Sequence, residues 1–123
     1  MEAALGMSFA GKRSLVCMKH VGMNVAADCF INSAITGVKG GLIIIAADDP
    51  SMHSSQNEQD SRFYGDFSLI PMYEPSNQQE AYDMVYNGFN FLRTDRRTHP
   101  DAHGYAPGTL PFRRRAQGAT TAE

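Results

Sequence analysis

The chain has 123 residues, a formal net charge of −2 and an apolar content of 42%, which allows one domain at most. Acidic and basic residues are mixed along most of the sequence, so charge gives no argument for a nucleic acid or an anionic membrane as partner. Two cysteines do not make a disulfide framework. No apolar stretch approaches the roughly 20 residues of a membrane span, and no signal peptide is evident. We therefore expect a reduced, cytoplasmic protein.

The first part of the sequence alternates helices with an apolar strand. Residues 1–10 are small and helix-compatible, and Gly11 is a plausible stop. The apolar run 14–18 predicts a buried strand. A polar, glycine-containing turn at 19–24 follows it, and apolar residues at helical spacing predict a helix over 25–36.

The junction in the middle of the chain is the most informative stretch. Residues 42–47 are an apolar run suited to a fully buried central strand. A dense polar loop follows from Asp48 to about Asn57, and a short helix is predicted over 58–64. Open α/β sheets bind ligands outside the carboxyl ends of their strands, so we expect function to concentrate at this junction.

The last part of the sequence changes character part-way. Residues 69–73 are a third strand candidate, although Pro71 argues for an edge position. Ser76 and Gln79 fit a capping box that opens the clearest helix of the chain. Residues 94–123 are rich in proline and glycine and almost lack aliphatic side chains, which predicts a disordered tail.

Strands that alternate with helices predict an α/β fold. The sheet should be mostly parallel and covered on both faces, in a small three-layer Rossmann-like arrangement. We predict two segments: a partial domain at residues 1–92, and a disordered tail at residues 93–123.

Spacing alone singles out two candidate sites. Lys19 and His20 close the first strand and Asn24 opens the following helix, where backbone N–H groups can hold an anion. An ordinary strand–helix turn explains the same pattern, and spacing alone favours it. The second candidate is the loop around His53, which can hydrogen-bond a polar ligand, although a solvated loop remains an alternative.

Other chemistries fit the polar loop less well. Zinc is disfavoured because the cysteines lie far away in sequence. Ser54 and Ser55 lack the glycine-flanked elbow of hydrolases. Asp48 and Asp49 precede a proline and favour a turn over a Mg²⁺ site, so we predict no metal ligand.

Several stretches resemble the α subunit of indolepyruvate ferredoxin oxidoreductase. The resemblance covers about residues 1–90, and the eleven-residue string MHSSQNEQDSR at 52–62 is its most specific part. The other matching stretches are 2–6, 10–16, 18–28, 36–42, 47–50, 74–76 and 79–84.

The resemblance implies part of an enzyme that oxidatively decarboxylates indolepyruvate or another arylpyruvate to the acyl-CoA and reduces ferredoxin. It implies thiamine diphosphate with Mg²⁺, iron–sulfur clusters and coenzyme A as cofactors and co-substrate, and the family's β subunit as a partner. The matching stretch is similar to an incomplete pyrimidine-binding domain. The family's activating glutamate, its Mg²⁺-holding diphosphate domain and its cluster cysteines find no match, so we expect the chain alone to be inactive.

The resemblance also implies which residues form the site. His20 and His53 are the candidates for proton transfer, since histidine titrates near neutral pH. Lys19, His20 and Asn24 would face the cofactor. Arg62 is suited to holding a substrate carboxylate. The remaining candidates, which would line the substrate pocket or a domain interface together with Arg62, are Ser54, Ser55, Gln56, Asn57 and Asp60.

Two alternatives stay open. The chain could be a non-catalytic, truncated α/β module for binding or assembly. It could also be part of a pyruvate or 2-oxoglutarate ferredoxin oxidoreductase, although the turn at residues 19–22 favours the indolepyruvate type.

Overall fold

A computed structural model describes residues 1–53, 55–98 and 108–113 of the chain. Its elements in chain order are α1 Glu2–Phe9, β1 Ser14–Lys19, α2 His20–Val25, α3 Ala27–Thr36, β2 Leu42–Asp48, α4 Arg62–Ser68, α5 Gln78–Thr98 and β3 Gly108–Arg113. A 3₁₀ turn at Pro50–Met52 lies inside the polar loop. The predicted α/β class is confirmed.

The sheet has three parallel strands in the order β1-β2-β3, with β2 in the centre. Ser14 pairs with Leu42 and Lys19 pairs with Ala47, so β1 and β2 begin and end side by side. The apolar run of β2 is almost entirely buried, as the sequence predicts. The strand β3 runs parallel to the other edge of β2, beginning with Gly108 opposite Ile43.

The apolar core lies on the face of the sheet that α2, α3 and α4 cover. Its fully or almost fully buried members are Met23, Phe30, Leu42, Ile44 and Ile70. The ring of Phe30 on α3 meets the ring of Tyr64 on α4 edge to face, with centroids 6.2 Å apart. This contact fixes α4 beside the carboxyl ends of the strands, where the polar loop also lies.

Small residues join α1 to the amino ends of the strands. The Ser8 hydroxyl donates to the Gly40 carbonyl at 2.7 Å, and the Gly40 amide donates back to the Ser8 carbonyl at 2.7 Å. The Ser14 hydroxyl donates to the Ala4 carbonyl at 2.9 Å. A Cβ on Gly40 would lie 2.0 Å from the Lys12 carbonyl oxygen, so only glycine allows this approach.

Two predicted elements differ from the structure near β1. The turn predicted over residues 19–24 is the short helix α2, and the helix predicted over 25–36 begins only at Ala27. Gly22 explains part of the difference, because a Cβ there would lie 3.1 Å from Met18 Cβ. Its absence lets α2 fold directly onto the end of β1, so the glycine serves close packing instead of a turn.

The strand predicted over residues 69–73 is wrong. Leu69 ends α4 in the left-handed conformation, with φ of 58°, and Ile70 then enters the core. The sulfur of Met72 lies where a Cβ on Gly65 would stand. Ile70 therefore fills the core beneath α4, whereas Leu69 stays exposed and residues 71–73 are half-buried. The short helix predicted over 58–64 is α4, which starts later, at Arg62.

The helix predicted after residue 76 is present, with its cap shifted by one residue. The Asn77 side-chain oxygen accepts a hydrogen bond from the Glu80 amide at 2.9 Å. The Glu80 carboxylate accepts bonds from the amide and the hydroxyl of Ser76, both at 2.7 Å. Asn77 therefore caps the helix, and the Glu80 carboxylate reaches back to Ser76, so the capping pair predicted from Ser76 and Gln79 is replaced.

Two parts of the predicted tail have regular backbone structure. The helix α5 continues to Thr98, and β3 occupies Gly108–Arg113. Residues 99–107 and 114–123 lie outside the described residues, and the domain boundary after residue 92 stays a prediction. Within the described part, no helix combines the length and the apolar character needed to cross a membrane.

The helix α4 carries large apolar side chains that are exposed to solvent. Phe63 and Phe67 lie one turn apart on α4 and are 69% and 75% exposed, and the adjacent Leu69 is 88% exposed. Three large apolar side chains on one short helix and its end form an exposed patch, which we call the α4 patch.

Candidate functional site at the carboxyl end of the sheet

The ends of β1 and β2 bring the two sequence-predicted sites together. Lys19 is the last residue of β1, and its ammonium group lies 3.2 Å from the Asp49 carboxylate, just past the end of β2. The two groups are partly exposed, at 40% and 19%. Lys19 is therefore at the strand end as predicted, with a carboxylate partner from the loop.

His20 is the most buried of the predicted site residues. Its side chain is fully buried at the start of α2. Its Nε2 atom lies 2.9 Å from the backbone oxygen of Asn57 and 2.9 Å from the side-chain oxygen of the same residue. Its Nδ1 atom is also buried and has no hydrogen-bond partner among the described residues. The contact joins the end of the first strand to the polar loop, 37 residues further along the chain.

A buried carboxylate closes the loop. Asp48 ends β2, and its two carboxylate oxygens accept bonds from the amide of Ser61 at 2.8 Å and from its hydroxyl at 2.6 Å. Both residues are buried. These bonds hold the two ends of the loop together, because Asp48 ends β2 and Ser61 directly precedes α4.

Arg62 lies at the start of α4 between two carboxylates. Asp60 accepts hydrogen bonds from Nε at 2.8 Å and from Nη2 on the same edge of the guanidinium. Glu74 accepts one from Nη1 at 3.2 Å. These contacts, with Asp60 the larger, raise the pKa of Arg62 above its already high usual value. The guanidinium is thus a fixed positive charge with one side oriented by Asp60.

Asn24 connects α2 to α4 on the outer side of the site. Its side-chain oxygen accepts a hydrogen bond from the Tyr64 hydroxyl at 2.6 Å. Asn24 is exposed and Tyr64 is half-buried. Tyr64 therefore joins α4 to α2 through this hydrogen bond and to α3 through its ring contact with Phe30.

The remaining predicted residues differ in how closely they join the site. His53 is exposed at the end of the 3₁₀ turn, and Gln56 is exposed beside Asn57. Ser55 is half-buried, with a buried hydroxyl that has no partner among the described residues. Ser54 lies outside the described residues. Of the two histidines predicted as candidates for proton transfer, His20 is buried and His53 is on the surface.

The sequence did not predict four residues at this edge as part of the site. They are Asp48, Gln59, Ser61 and Tyr64. Asp48 had been interpreted as part of a turn, although a carboxylate directly after a buried strand is a signal for an anchored strand end. The Nε2 atom of Gln59 is buried without a partner among the described residues. No local pattern distinguishes Ser61 or Tyr64, because their partners are 13 and 40 residues away.

No group of three or more His, Cys, Asp or Glu side chains in the described part of the chain is placed to hold a metal ion. Cys17 is exposed on β1 and Cys29 is half-buried on α3. Burial raises the pKa of the Cys29 thiol, which disfavours the thiolate that a metal or an electrophile requires.

Comparison with known proteins gives relatives that share one name. No protein-family model matches the chain. It is 57% identical over 82 residues to indolepyruvate oxidoreductase subunit IorA of Archaeoglobus fulgidus, which covers 67% of this chain and 13% of the relative. It is 56% identical over 88 residues to the subunit of the same name in Pyrococcus horikoshii, covering 72% of this chain and 14% of the relative. Over the matched segment, this chain belongs to the IorA family.

A third relative shows how far the similarity reaches. The subunit IorA of Thermococcus kodakarensis is 44% identical over 119 residues, which cover 89% of this chain and 18% of the relative. Residues 1–92 make up about three quarters of the chain, so this match includes residues on both sides of the predicted boundary. The chain spans 13–18% of the length of these IorA relatives.

Proposed function

We propose that this chain is part of an oxidoreductase that decarboxylates indolepyruvate or another arylpyruvate to the acyl-CoA and passes two electrons to ferredoxin. The name shared by the relatives supports the substrate, and the arrangement at the sheet edge supports a site in this segment. The observation that carries the proposal is the His20–Asn57 contact, because it joins the first strand end and the polar loop into one place. Ligands of parallel α/β sheets bind at this edge.

Thiamine diphosphate is the cofactor that the proposal requires, because it accepts the electron pair left on the substrate when carbon dioxide departs. The buried Nδ1 atom of His20, which has no hydrogen-bond partner among the described residues, fits a hydrogen-bonding group of such a ligand. Lys19 precedes His20 at the end of β1, and Asn24 lies one turn further along α2. We propose that Lys19, His20 and Asn24 contact hydrogen-bonding groups of the cofactor. The proposal assigns neither the diphosphate nor Mg²⁺ to the described residues. It also assigns them no iron–sulfur cluster.

Arg62 is the residue that we propose to hold the substrate carboxylate. Asp60 fixes one edge of the guanidinium, while Glu74 contacts Nη1 from an exposed position. Exposed ion pairs contribute only about 0–1 kcal/mol. A substrate carboxylate can therefore replace Glu74 at little cost, while Asp60 keeps the guanidinium oriented. Ser55, Gln56 and Asn57 lie on the same loop and would line the pocket.

The partners in this proposal are coenzyme A, ferredoxin, the family's β subunit and the rest of the same subunit. The α4 patch supports the last of these, because it is apolar, exposed and adjacent to Arg62. The chain spans only 13–18% of its relatives, so we propose that another segment of a full-length subunit covers the patch.

The test is a chimera. Residues 1–90 of this chain replace the matching segment of the Archaeoglobus fulgidus subunit, produced together with its partner subunit. We expect coenzyme A-dependent reduction of ferredoxin with indolepyruvate. Pyruvate and 2-oxoglutarate are assayed in parallel, and a preference for either would transfer the proposal to that substrate. Loss of all three activities in a folded chimera, with an active parent enzyme, would favour the non-catalytic module.

Variants of the same chimera separate the roles. Arg62→Lys should raise the KM for indolepyruvate roughly tenfold, because the bidentate geometry is lost. Glu74→Gln should lower that KM, and Lys39→Gln, an exposed change in the loop before β2, should leave it unchanged. His20→Gln should lower kcat by about 100-fold, in the range of a lost proton-transfer group. An unchanged kcat would remove His20 from the mechanism.

A further inference from the structure

The contact of His20 with Asn57 has a consequence for the protons of the imidazole ring. Its Nε2 atom lies 2.9 Å from the backbone carbonyl oxygen of Asn57. A carbonyl oxygen only accepts hydrogen bonds. The Nε2 atom must therefore carry a proton to make this bond, whichever way the Asn57 amide is oriented.

The side chain of Asn57 supports the same assignment. Its oxygen also lies 2.9 Å from Nε2, so one N–H group faces two acceptors from a single residue. The neutral imidazole carries its one proton on one nitrogen and leaves the other as an acceptor. Because Nε2 holds the proton, Nδ1 is the acceptor in the neutral ring. Nδ1 is buried and has no partner among the described residues.

We propose that Asn57 is a positioning residue: it fixes His20 as the Nε2–H tautomer, so that Nδ1 is the nitrogen offered to a ligand. The ligand group that fits is a hydrogen-bond donor. Asn57 acts through His20 and has no direct part in the chemistry. The assignment of the tautomer does not depend on the proposed function. Only the identity of the ligand at Nδ1, as a substrate or cofactor, rests on that function.

The exposed His53 of the same chain provides an internal reference. It lies at the end of the 3₁₀ turn, where solvent reaches the ring. A solvated neutral histidine exchanges between its two tautomers, whereas a ring held between fixed acceptors keeps one. The two histidines should therefore give different nitrogen signals under the same conditions.

The experiment is nitrogen NMR of the full 123-residue chain labelled on its histidines, at a pH where the rings are neutral. His20→Gln and His53→Gln assign the signals. We expect His20 to show a protonated Nε2 and an unprotonated Nδ1, and His53 to show averaged values. An averaged His20, or a His20 with the proton on Nδ1, would overturn the proposal.

Variants of Asn57 test the side chain separately from the backbone. Asn57→Ala keeps the backbone carbonyl and removes one of the two acceptors, so it should weaken the preference for the Nε2–H form and shift His20 toward a mixture of tautomers. Asn57→Asp should restore the single Nε2–H form, because its carboxylate is also an acceptor. The matched control is Asn32→Ala, which removes an exposed amide whose bonds among the described residues lie within α3 and should leave the His20 signals unchanged. If Asn57→Ala, with an otherwise native amide spectrum, also leaves them unchanged, the side chain is not the positioning group.

This readout is independent of turnover. A single tautomer in the isolated chain, with no indolepyruvate activity in the chimera, would retain the positioning role and remove the proposed function. Activity in the chimera together with an averaged His20 would retain the function and remove the positioning role.

Discussion

The two edges of the same sheet are built from different chemistry. At the amino edge, α1 is held by hydrogen bonds among Ser8, Ser14, Ala4 and Gly40, with no ionisable side chain among them. At the carboxyl edge, the links are Asp48 to Ser61, His20 to Asn57 and Lys19 to Asp49. Among the described residues, the buried side-chain polar atoms without a hydrogen-bond partner belong to His20, Ser55 and Gln59, all at the carboxyl edge. Unused hydrogen-bonding capacity therefore distinguishes the edge where we propose the ligand site from the amino edge.

The largest expected effect tests close packing at the amino edge. Gly40→Ala should lower the free energy of unfolding by about 3 kcal/mol, because its Cβ would collide with the Lys12 backbone. The matched control is Gly6→Ala in α1, where a Cβ meets nothing within 4 Å. That change should raise the free energy of unfolding by about 0.5–1 kcal/mol. Urea unfolding followed by circular dichroism measures both, and equal effects would contradict the close approach.

The next effect tests the buried carboxylate at the other edge. Asp48→Ala should cost about 2–3 kcal/mol, because the Ser61 amide and hydroxyl lose their acceptor while remaining buried. Asp66→Ala removes an exposed carboxylate on α4 and should change the free energy of unfolding by less than about 0.5 kcal/mol. Urea unfolding followed by circular dichroism compares the two variants with the unsubstituted chain. A small effect of Asp48→Ala would show that the loop is not closed by this residue.

A smaller effect is expected from the partly exposed ion pair. A double-mutant cycle with Lys19→Gln and Asp49→Asn should give a coupling energy of about 0.5 kcal/mol, which falls in about 1 M salt. The cycle compares both single variants and the double variant by urea unfolding. A coupling that salt does not weaken would mean that the pair is shielded from solvent, and would place Lys19 deeper in the site.

The smallest effect concerns the start of α5. Hydrogen bonds from the Ser76 hydroxyl and amide lower the pKa of Glu80 below its usual value of 4.5. A carboxyl group with a lowered pKa in the folded state stabilises the fold above pH 4.5 and loses this contribution as the pH falls through its folded value. Glu80→Gln should therefore make acid unfolding less steep below pH 4.5, as measured by helicity against pH. Ser76→Ala should act in the same direction, and an acid transition identical to the unsubstituted chain would exclude the cap.

The sequence predicted the elements whose evidence is local. The apolar run of β2, the small residues of α1 and the stop at Gly11, which has φ of 78°, all lie where expected. The polar string after β2 lies at the carboxyl edge of the sheet, as the chain order predicts. These features need only hydrophobic period, glycine and chain order.

The errors come from packing contacts that composition and spacing do not reveal. Gly22 was interpreted as a turn residue because its close contact with Met18 cannot be read from composition. Residues 69–73 were predicted as a strand because their apolar run has the pattern of a strand, and the pattern does not show that Ile70 alone would enter the core. The strand Gly108–Arg113 was missed because it contains Pro111 and few aliphatic residues, and its position depends on backbone pairing with β2. Likewise, His20 and His53 looked equivalent until burial separated them.

The closure of the loop by Asp48 and Ser61 has a consequence for how this segment can vary. Twelve residues, from Asp49 to Asp60, lie between two neighbouring anchor points. Doubling the length of such a loop costs only about 0.6 kcal/mol in closure entropy. The loop can therefore lengthen by insertion at small entropic cost while Asp48 and Ser61 keep β2 and α4 in their places.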